Sequence, residues 1–162
     1  MSWTDKIAVE NIKQLQRDFH IKVAIETGTY KGVNAELYSS IFSVTFSCEI
    51  DKDYYNQAVE RLKQRHNVFI SHLSSPEFLR KVVKPASTEF IYLDAHFYDP
   101  KKVKWIVIEE LKALQGQRNI VLCIHDFDNG MGHLIYDGEH LDWKLIGGYL
   151  KKINHRFHYY TN

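Results

Sequence analysis

The sequence predicts an α/β domain in which helices cover both faces of a parallel sheet. Short apolar runs alternate along the chain with longer amphipathic segments. The runs are almost unbroken, which is typical of strands that helices bury on both faces. Strict alternation of strand and helix also favours parallel strands joined by right-handed crossovers. With 162 residues, we expect a single domain over 1–162 that is large enough to bury a full core.

The first half of the chain supplies three predicted strands. Apolar residues at helical spacing predict a first helix over 4–18, which would cover the sheet. The remaining predicted elements of this half are strand 21–25, helix 33–40, strand 44–50, helix 52–65 and strand 67–71.

The second half continues the same alternation. We predict helix 75–83, closed by Pro85, and helix 101–115, with Gly116 as its C-cap. The other predicted elements are strand 89–93, strand 119–124, a long loop over 127–140, helix 141–153 and a last strand over 156–160. A loop of that length after a strand is usually functional.

Composition excludes several classes of protein. Hydrophobic residues make up 44% and charged residues 25%, as in ordinary globular domains. A net charge of +1 gives no long-range attraction to nucleic acid or to an anionic membrane. Cys48 and Cys123 fall in predicted strands, where they act as small apolar residues. No secretory segment or membrane-length apolar run is present, so we expect a cytoplasmic protein with no membrane partner.

A glycine-containing turn follows the first predicted strand. Glu26 lies two residues before Gly28, and Gly32 opens the next helix, with Tyr30 between the two glycines. The spacing is not the G-x-G-x-x-G of dinucleotide-binding proteins. In such a turn one glycine allows close approach of a ligand and another allows the helix to pack closely. The alternative is an ordinary strand-to-helix turn with no ligand.

Glu49 ends the second predicted strand. It lies twenty-one residues after Gly28, near the spacing at which an acid accepts hydrogen bonds from ribose hydroxyls. A carboxylate suits a cis-diol because it is an acceptor only. The alternative is that Glu49 and Asp51 both begin the next helix; we assign that role to Asp51.

Three stretches together resemble the class I S-adenosylmethionine-dependent methyltransferases, most closely the small macrocin-type O-methyltransferases. They are residues 25–32, 90–96 and 121–127, in a likeness that covers nearly the whole chain. The resemblance implies a three-layer Rossmann-like fold with strand order 3-2-1-4-5-6 and a small-molecule hydroxyl as acceptor. It also implies S-adenosyl-L-methionine as cofactor, bound by Glu26, Gly28, Tyr30, Gly32, Glu49, Ser74 and Asp94.

Two features depart from that family. Leu73-Ser74-Ser75 stands where the family has Gly-Asp-Ser, so Ser74 replaces the acid that holds the adenine. A neutral hydrogen bond is weaker than a charge-assisted one. The family's usual seventh strand lies between the fifth and the sixth; here we expect the strand over 156–160 to lie directly beside the fifth. The alternatives are that a second copy of the chain pairs with this edge in a homodimer, or that the sequence is a fragment of a longer protein.

The resemblance places the chemistry after the fourth and fifth strands. Asp94, His96 and His125 are the predicted catalytic residues, with a histidine as general base because it titrates near neutrality. Alternatively, Asp94, His125 and Asp126 hold a divalent cation, Mg²⁺ or Mn²⁺. A third interpretation gives these side chains only packing and loop-binding roles.

Other functions remain as alternatives. Methyltransferases acting on DNA bases carry a Pro-Pro-aromatic segment after the fourth strand, and Asp94-Ala95-His96-Phe97 has no proline, so we expect no nucleic-acid partner. A methyltransferase-like domain without activity is favoured by Ser74 and the missing strand. A Rossmann-type nucleotide enzyme is disfavoured by the absent G-x-G-x-x-G.

Overall fold

A computed structural model describes residues 6–84, 87–95, 98–99, 104–128, 130 and 140–160, with only the backbone of 98, 99 and 104. Its helices are α1 (Lys6–Asp18), α2 (Val33–Ile41), α3 (Lys52–Leu62), α4 (Ser75–Val82), α5 (Ile106–Ala113) and α6 (Trp143–Ile153). Its strands are β1 (Val23–Thr27), β2 (Val44–Glu49), β3 (Val68–His72), β4 (Glu89–Leu93), β5 (Tyr98–Asp99), β6 (Lys104–Trp105) and β7 (Ile120–Ile124).

The main sheet is parallel and has the order β3-β2-β1-β4-β7 among the described residues. This confirms the predicted order for its first five strands. The order reverses between β1 and β4, which pair in register from Val23 with Glu89 to Thr27 with Leu93. The carboxyl ends of β1 and β4 therefore lie side by side at the point where open parallel sheets bind ligands.

Each face of the sheet has its own core. One core joins β1 and β4 to α1 and α2 through the buried rings of Tyr38, Phe42 and Phe90. The other packs α4, α5 and α6 on the opposite face, with side chains such as Phe78 and Leu111 fully buried. Helices on both faces explain why the strands of this sheet are so uniformly apolar.

The predicted helix over 101–115 begins later than expected. Lys104–Trp105 instead pairs antiparallel with Tyr98–Asp99, and α5 starts at Ile106. Trp105 is buried, so the side chain that ends this short ribbon anchors it to the core. Residues 101–103 lie outside the described part of the chain.

The predicted sixth strand over 156–160 is wrong. After α6 a turn forms in which the amide of Phe157 donates to the carbonyl of Asn154, and residues 157–160 are irregular. Phe157 packs against the core, and the ring of Tyr159 contacts that of Trp143 at 4.7 Å between centroids. These aromatic residues have high strand propensity, but here they pack against other side chains and do not form backbone hydrogen bonds with β7.

None of the helices in the described ranges has the length and apolar character that crossing a membrane requires.

Candidate functional site

The glycine turn after β1 lies in close contact with the backbone at the end of β4. Gly28 has φ +78°, and a Cβ placed on it would lie 2.6 Å from the carbonyl oxygen of Asp94. A Cβ on Gly32, at φ +79°, would lie 2.9 Å from the side chain of Leu62. Gly28 therefore permits close approach of β1 to β4, and Gly32 permits close packing of α2 on α3. The sequence predicts that one of these glycines lets a ligand approach, whereas the close contacts that the structure describes at the two positions are with the end of β4 and with α3.

Backbone hydrogen bonds to β2 and within the turn hold the turn in place. The amides of Gly28 and Thr29 both donate to the carbonyl of Cys48, at 3.0 and 2.9 Å, and the amide of Gly32 donates to Thr29. Tyr30, a residue with a side chain, has φ +49°. Backbone in this region is strained for any residue except glycine. The turn thus has one fixed shape, which presents the half-exposed ring of Tyr30 to solvent.

The carboxylate of Glu26 is linked to the turn through the hydroxyls of Ser47 and Thr29. Its carboxylate is fully buried and accepts a 2.6 Å hydrogen bond from the hydroxyl of Ser47, which lies 2.5 Å from the hydroxyl of Thr29. Burial raises the pKa of Glu26 to about 8, against the opposing effect of the Ser47 hydrogen bond. Its direct contact with a cofactor stays a prediction, since the hydrogen bond described for this carboxylate comes from Ser47 on β2.

Glu49 lies at the end of β2, next to the turn. Its two carboxylate oxygens accept from the backbone amides of Tyr30, at 2.7 Å, and Asp51, at 2.9 Å. A carboxylate has about four acceptor positions, so this side chain has capacity for hydroxyl donors as well. Asp51 caps α3 with its own carboxylate, as the sequence predicted.

Ser74 is the N-cap of α4, next to the end of β3. Its side chain makes no capping hydrogen bond to the helix. The hydroxyl is thus not committed to the first turn of α4, which agrees with a ligand-binding role but does not test it.

Asp94, His125 and Asp126 come together at the ends of β4 and β7. His125 Nδ1 lies 3.1 Å from a carboxylate oxygen of Asp94 and 2.7 Å from one of Asp126. One ligand atom from each residue can be chosen so that all three lie within 4.8 Å of one another. Asp126 has φ +55°, a strained backbone that turns its carboxylate towards His125. The cluster has the donor set for a divalent cation and the geometry for proton transfer.

Burial of the His125 imidazole alone would lower its pKa. The hydrogen bonds and charges of Asp126 and Asp94 outweigh that effect and raise the pKa to about 9. Without a cation, His125 is therefore mostly protonated at neutral pH, as an imidazolium between two acids. His96, the other predicted catalytic histidine, lies outside the described residues.

Asp128 joins the two ends of the segment between β7 and α6. Its amide donates to the carbonyl of Leu141 at 2.8 Å, and one carboxylate oxygen lies 2.5 Å from Nδ1 of His140. The other carboxylate oxygen accepts from the amide of Gly130. Residues 128 and 140–141 are thus held next to each other, between β7 and α6.

Glu110 is a buried acid that the sequence analysis missed. It lies on α5 with no exposed surface, and burial raises its pKa to about 7 while the Ser75 and Thr27 hydroxyls lower it. Helical spacing from Val107 and Leu114 places it on the buried face of α5, which is the signal that would have identified it.

Neither a protein-family model nor any curated protein matches this chain. Solved structures do. The SAH-bound methyltransferase PaMTH1 of Podospora anserina has a TM-score of 0.59 at 14% identity, covering 77% of this chain and 54% of that one. Precorrin-6y C5,15-methyltransferase of Geobacter metallireducens has a TM-score of 0.54 at 16% identity, covering 75% and 63%. YcgJ of Bacillus subtilis has a TM-score of 0.54 at 13% identity, covering 76% and 53%.

These likenesses establish the fold. The chain has the Rossmann-like α/β fold of class I S-adenosylmethionine-dependent methyltransferases, with five parallel strands described. It spans between 53% and 63% of the length of these three proteins. Identities this low carry no information about substrate.

Proposed function

We propose that this protein is an S-adenosylmethionine-dependent methyltransferase that methylates a hydroxyl group of a small molecule, similar to the macrocin-type enzymes. One observation carries the proposal: the backbone of Gly28 meets that of Asp94 at the carboxyl edge of the sheet. The glycine turn and the Asp94, His125, Asp126 cluster are therefore parts of a single site, where a cofactor and a proton acceptor can act together.

The residues present fit the cofactor. Glu49 has acceptor capacity for the two ribose hydroxyls, and the hydroxyl of Ser74 is available at the start of α4 for the adenine. The turn from Glu26 to Gly32 has a fixed shape against which the cofactor would lie. When bound, S-adenosylmethionine supplies an electrophilic methyl group on a positively charged sulfur.

The cluster supplies the proton acceptor. Methyl transfer to a hydroxyl forms a carbon–oxygen bond, breaks the carbon–sulfur bond and releases the hydroxyl proton. Since His125 is mostly protonated at neutral pH, we assign the proton to the carboxylate of Asp94 or Asp126, with His125 balancing their charge. Holding the acceptor oxygen in line with the methyl group would supply much of the rate.

A second version of this site holds Mn²⁺ or Mg²⁺. Its support is the spacing of the three ligand atoms, all within 4.8 Å of one another. A cation there would displace the His125 proton and lower the pKa of a bound acceptor hydroxyl. The two versions differ in their response to chelator.

Calorimetric titration with S-adenosylhomocysteine tests the proposal. We expect saturable binding to one site per chain, weakened by Glu49→Gln but not by Glu36→Gln. Glu36, on α2, is a matched control because its carboxylate pairs with Arg61 of α3 and with Arg65, which follows α3. Absence of heat at high ligand concentration would instead support a methyltransferase-like domain that has lost its cofactor.

A further inference from the structure

Glu110 is an unusual residue for its position. It lies on the face of α5 that packs on the sheet, between the fully buried Val107 and Leu111. An apolar side chain would fill this place without the cost of removing a carboxyl group from water. No described arginine or lysine contributes to its pKa, which burial and the nearby Asp94 charge both raise. The carboxyl is therefore not there to neutralise a buried cation.

The groups that face Glu110 belong to both halves of the proposed site. The hydroxyls of Ser75 and Thr27 lie close enough to lower its pKa, although neither forms a well-aligned hydrogen bond with it among the described residues. Ser75 opens α4, directly after Ser74. Thr27 ends β1, directly before Gly28. One carboxyl group thus faces the start of the helix assigned to adenine and the start of the glycine turn.

Thr27 connects Glu110 to Asp94. The amide of Asp94 donates to both the hydroxyl and the carbonyl oxygen of Thr27, each at 3.2 Å. When the Thr27 hydroxyl accepts from Asp94, its own proton is free to point towards Glu110. A carboxyl group at that position therefore selects the hydroxyl orientation that receives the Asp94 amide.

We infer that Glu110 is a positioning residue that holds the Asp94 side of the site in place through the hydroxyl of Thr27. This inference rests on the proposed methyltransferase function. Glu110 touches no reacting atom. It sets where the backbone of Asp94 lies, and with it the carboxylate oxygen that lies 3.1 Å from Nδ1 of His125.

Replacing the carboxyl group tests this role. Glu110→Leu removes a buried acid and leaves an apolar side chain in an apolar core, so we expect stability to urea no lower than that of the unchanged protein. We expect binding of S-adenosylhomocysteine to weaken by about ten-fold or more, and Glu110→Gln, which keeps an acceptor, to weaken it by about three-fold. A residue with only a structural role would lose stability and binding together.

Glu89→Gln is the matched control. Glu89 is also a buried acid, but it lies at the opposite end of β4, where its carboxylate accepts from the amide of Lys84. This variant should bind S-adenosylhomocysteine as the unchanged protein does. Thr27→Val tests whether Glu110 acts through Thr27. If it does, the Thr27→Val, Glu110→Leu double variant should bind S-adenosylhomocysteine no more weakly than whichever single variant has the lower affinity. Additive losses would overturn the route through Thr27.

Hydrogen exchange of the Asp94 amide separates this inference from the proposed function. In ligand-free protein we expect this amide to exchange at least about ten-fold faster in Glu110→Leu than in Glu89→Gln. If the unchanged protein binds no S-adenosylhomocysteine, the proposed function fails and the exchange rate still decides the inference. If Glu110→Leu does not fold, Glu110→Gln decides it. Unaltered exchange and affinity in the folded variant would overturn the positioning role.

Discussion

The backbone amide of Tyr30 donates a 2.7 Å hydrogen bond to Oε2 of Glu49. The acid assigned to the ribose therefore also fixes the strained residue at the centre of the glycine turn, so the ends of β1 and β2 form one unit. Replacing Glu49 should therefore affect both the proposed ribose contact and the shape of the glycine turn.

We expect Glu49→Ala to weaken S-adenosylhomocysteine binding by about 1.5–3 kcal/mol, the usual range for hydrogen bonds to a charged group. Glu49→Gln should cost less, because one oxygen remains to accept from the Tyr30 or Asp51 amide. Calorimetric titration of both variants measures the difference. Unchanged affinity in a folded Glu49→Ala protein would contradict the ribose assignment.

Gly28→Ala should be strongly destabilising. The new Cβ would lie 2.6 Å from the Asp94 carbonyl oxygen, in a backbone with φ +78°. Gly116→Ala is a matched control, since Gly116 has φ +83° but no atom within 4 Å of its Cβ position. Urea unfolding should show a loss of about 1–2 kcal/mol for Gly116→Ala, from backbone strain alone. Gly28→Ala should lose about 1–3 kcal/mol more, from overpacking; equal losses would show that β4 moves away freely.

Glu26 should make stability depend on pH. Its pKa is raised to about 8 in the folded protein, from the ordinary value of 4.5. The folded state therefore binds this proton more tightly. Its contribution to the free energy of unfolding is full below pH 4.5 and is lost as pH rises through about 8. The loss should be on the order of a few kcal/mol.

Unfolding in urea at a series of pH values between 5 and 9 measures this effect of Glu26. Glu26→Gln should reduce this decline, leaving the smaller declines that Glu110 causes near pH 7 and His125 causes as pH rises towards 9. Glu36→Gln should not flatten it, because hydrogen bonds to Arg61 and Arg65 lower the pKa of Glu36 and move its effect to acid pH. If Glu26→Gln had the same dependence of stability on pH as the unchanged protein, the raised pKa of Glu26 would be contradicted.

The cation version of the site predicts that chelator abolishes methyl transfer and that Mn²⁺ restores it. Asp126→Asn should weaken Mn²⁺ binding by about ten-fold or more, because it removes a charged ligand. Asp18→Asn, at an exposed acid of α1, should leave Mn²⁺ binding unaltered. Full activity in excess chelator would exclude the cation and leave proton transfer to the two acids.

The outer edge of β7 pairs with no described strand. Its sequence, Ile-Val-Leu-Cys-Ile, contains neither charge nor proline, the usual protections of an exposed edge. We propose that a second copy of the chain covers this edge in a homodimer. Sedimentation should then show a dimer, and the outward amides of Leu122 and Ile124 should exchange more slowly as protein concentration rises. A monomer at all concentrations would refute the proposal.

The sheet was predictable because burial on both faces leaves apolar runs with little ambiguity. The strand order followed from the resemblance, and β1 to β4 with β7 agree with it. The last strand was mispredicted because Phe157 and Tyr159 have high strand propensity, whereas only tertiary contacts decide whether they pair with β7 or pack on α6.

The positions of the candidate site residues in the fold were predictable, but their contacts were less so. The carboxyl ends of parallel strands share one edge, so the sequence alone was enough to place Glu49, Asp94 and His125 there. Sequence does not show which way a side chain turns at that edge. Glu26 is buried and accepts from Ser47, whereas Glu49 accepts from the amide of the turn residue Tyr30, and both outcomes depend on backbone angles that spacing does not encode.

The hydrogen bonds of Asp128 to Leu141 and His140 have a consequence for how this protein could acquire new acceptors. Because these contacts bring residues 128 and 140–141 together, the closure entropy of the segment between them grows only slowly with its length. Insertions or deletions between these anchors should therefore leave the sheet undisturbed. Under the proposed function, the choice of methyl acceptor would change through this segment while the five described strands stay the same.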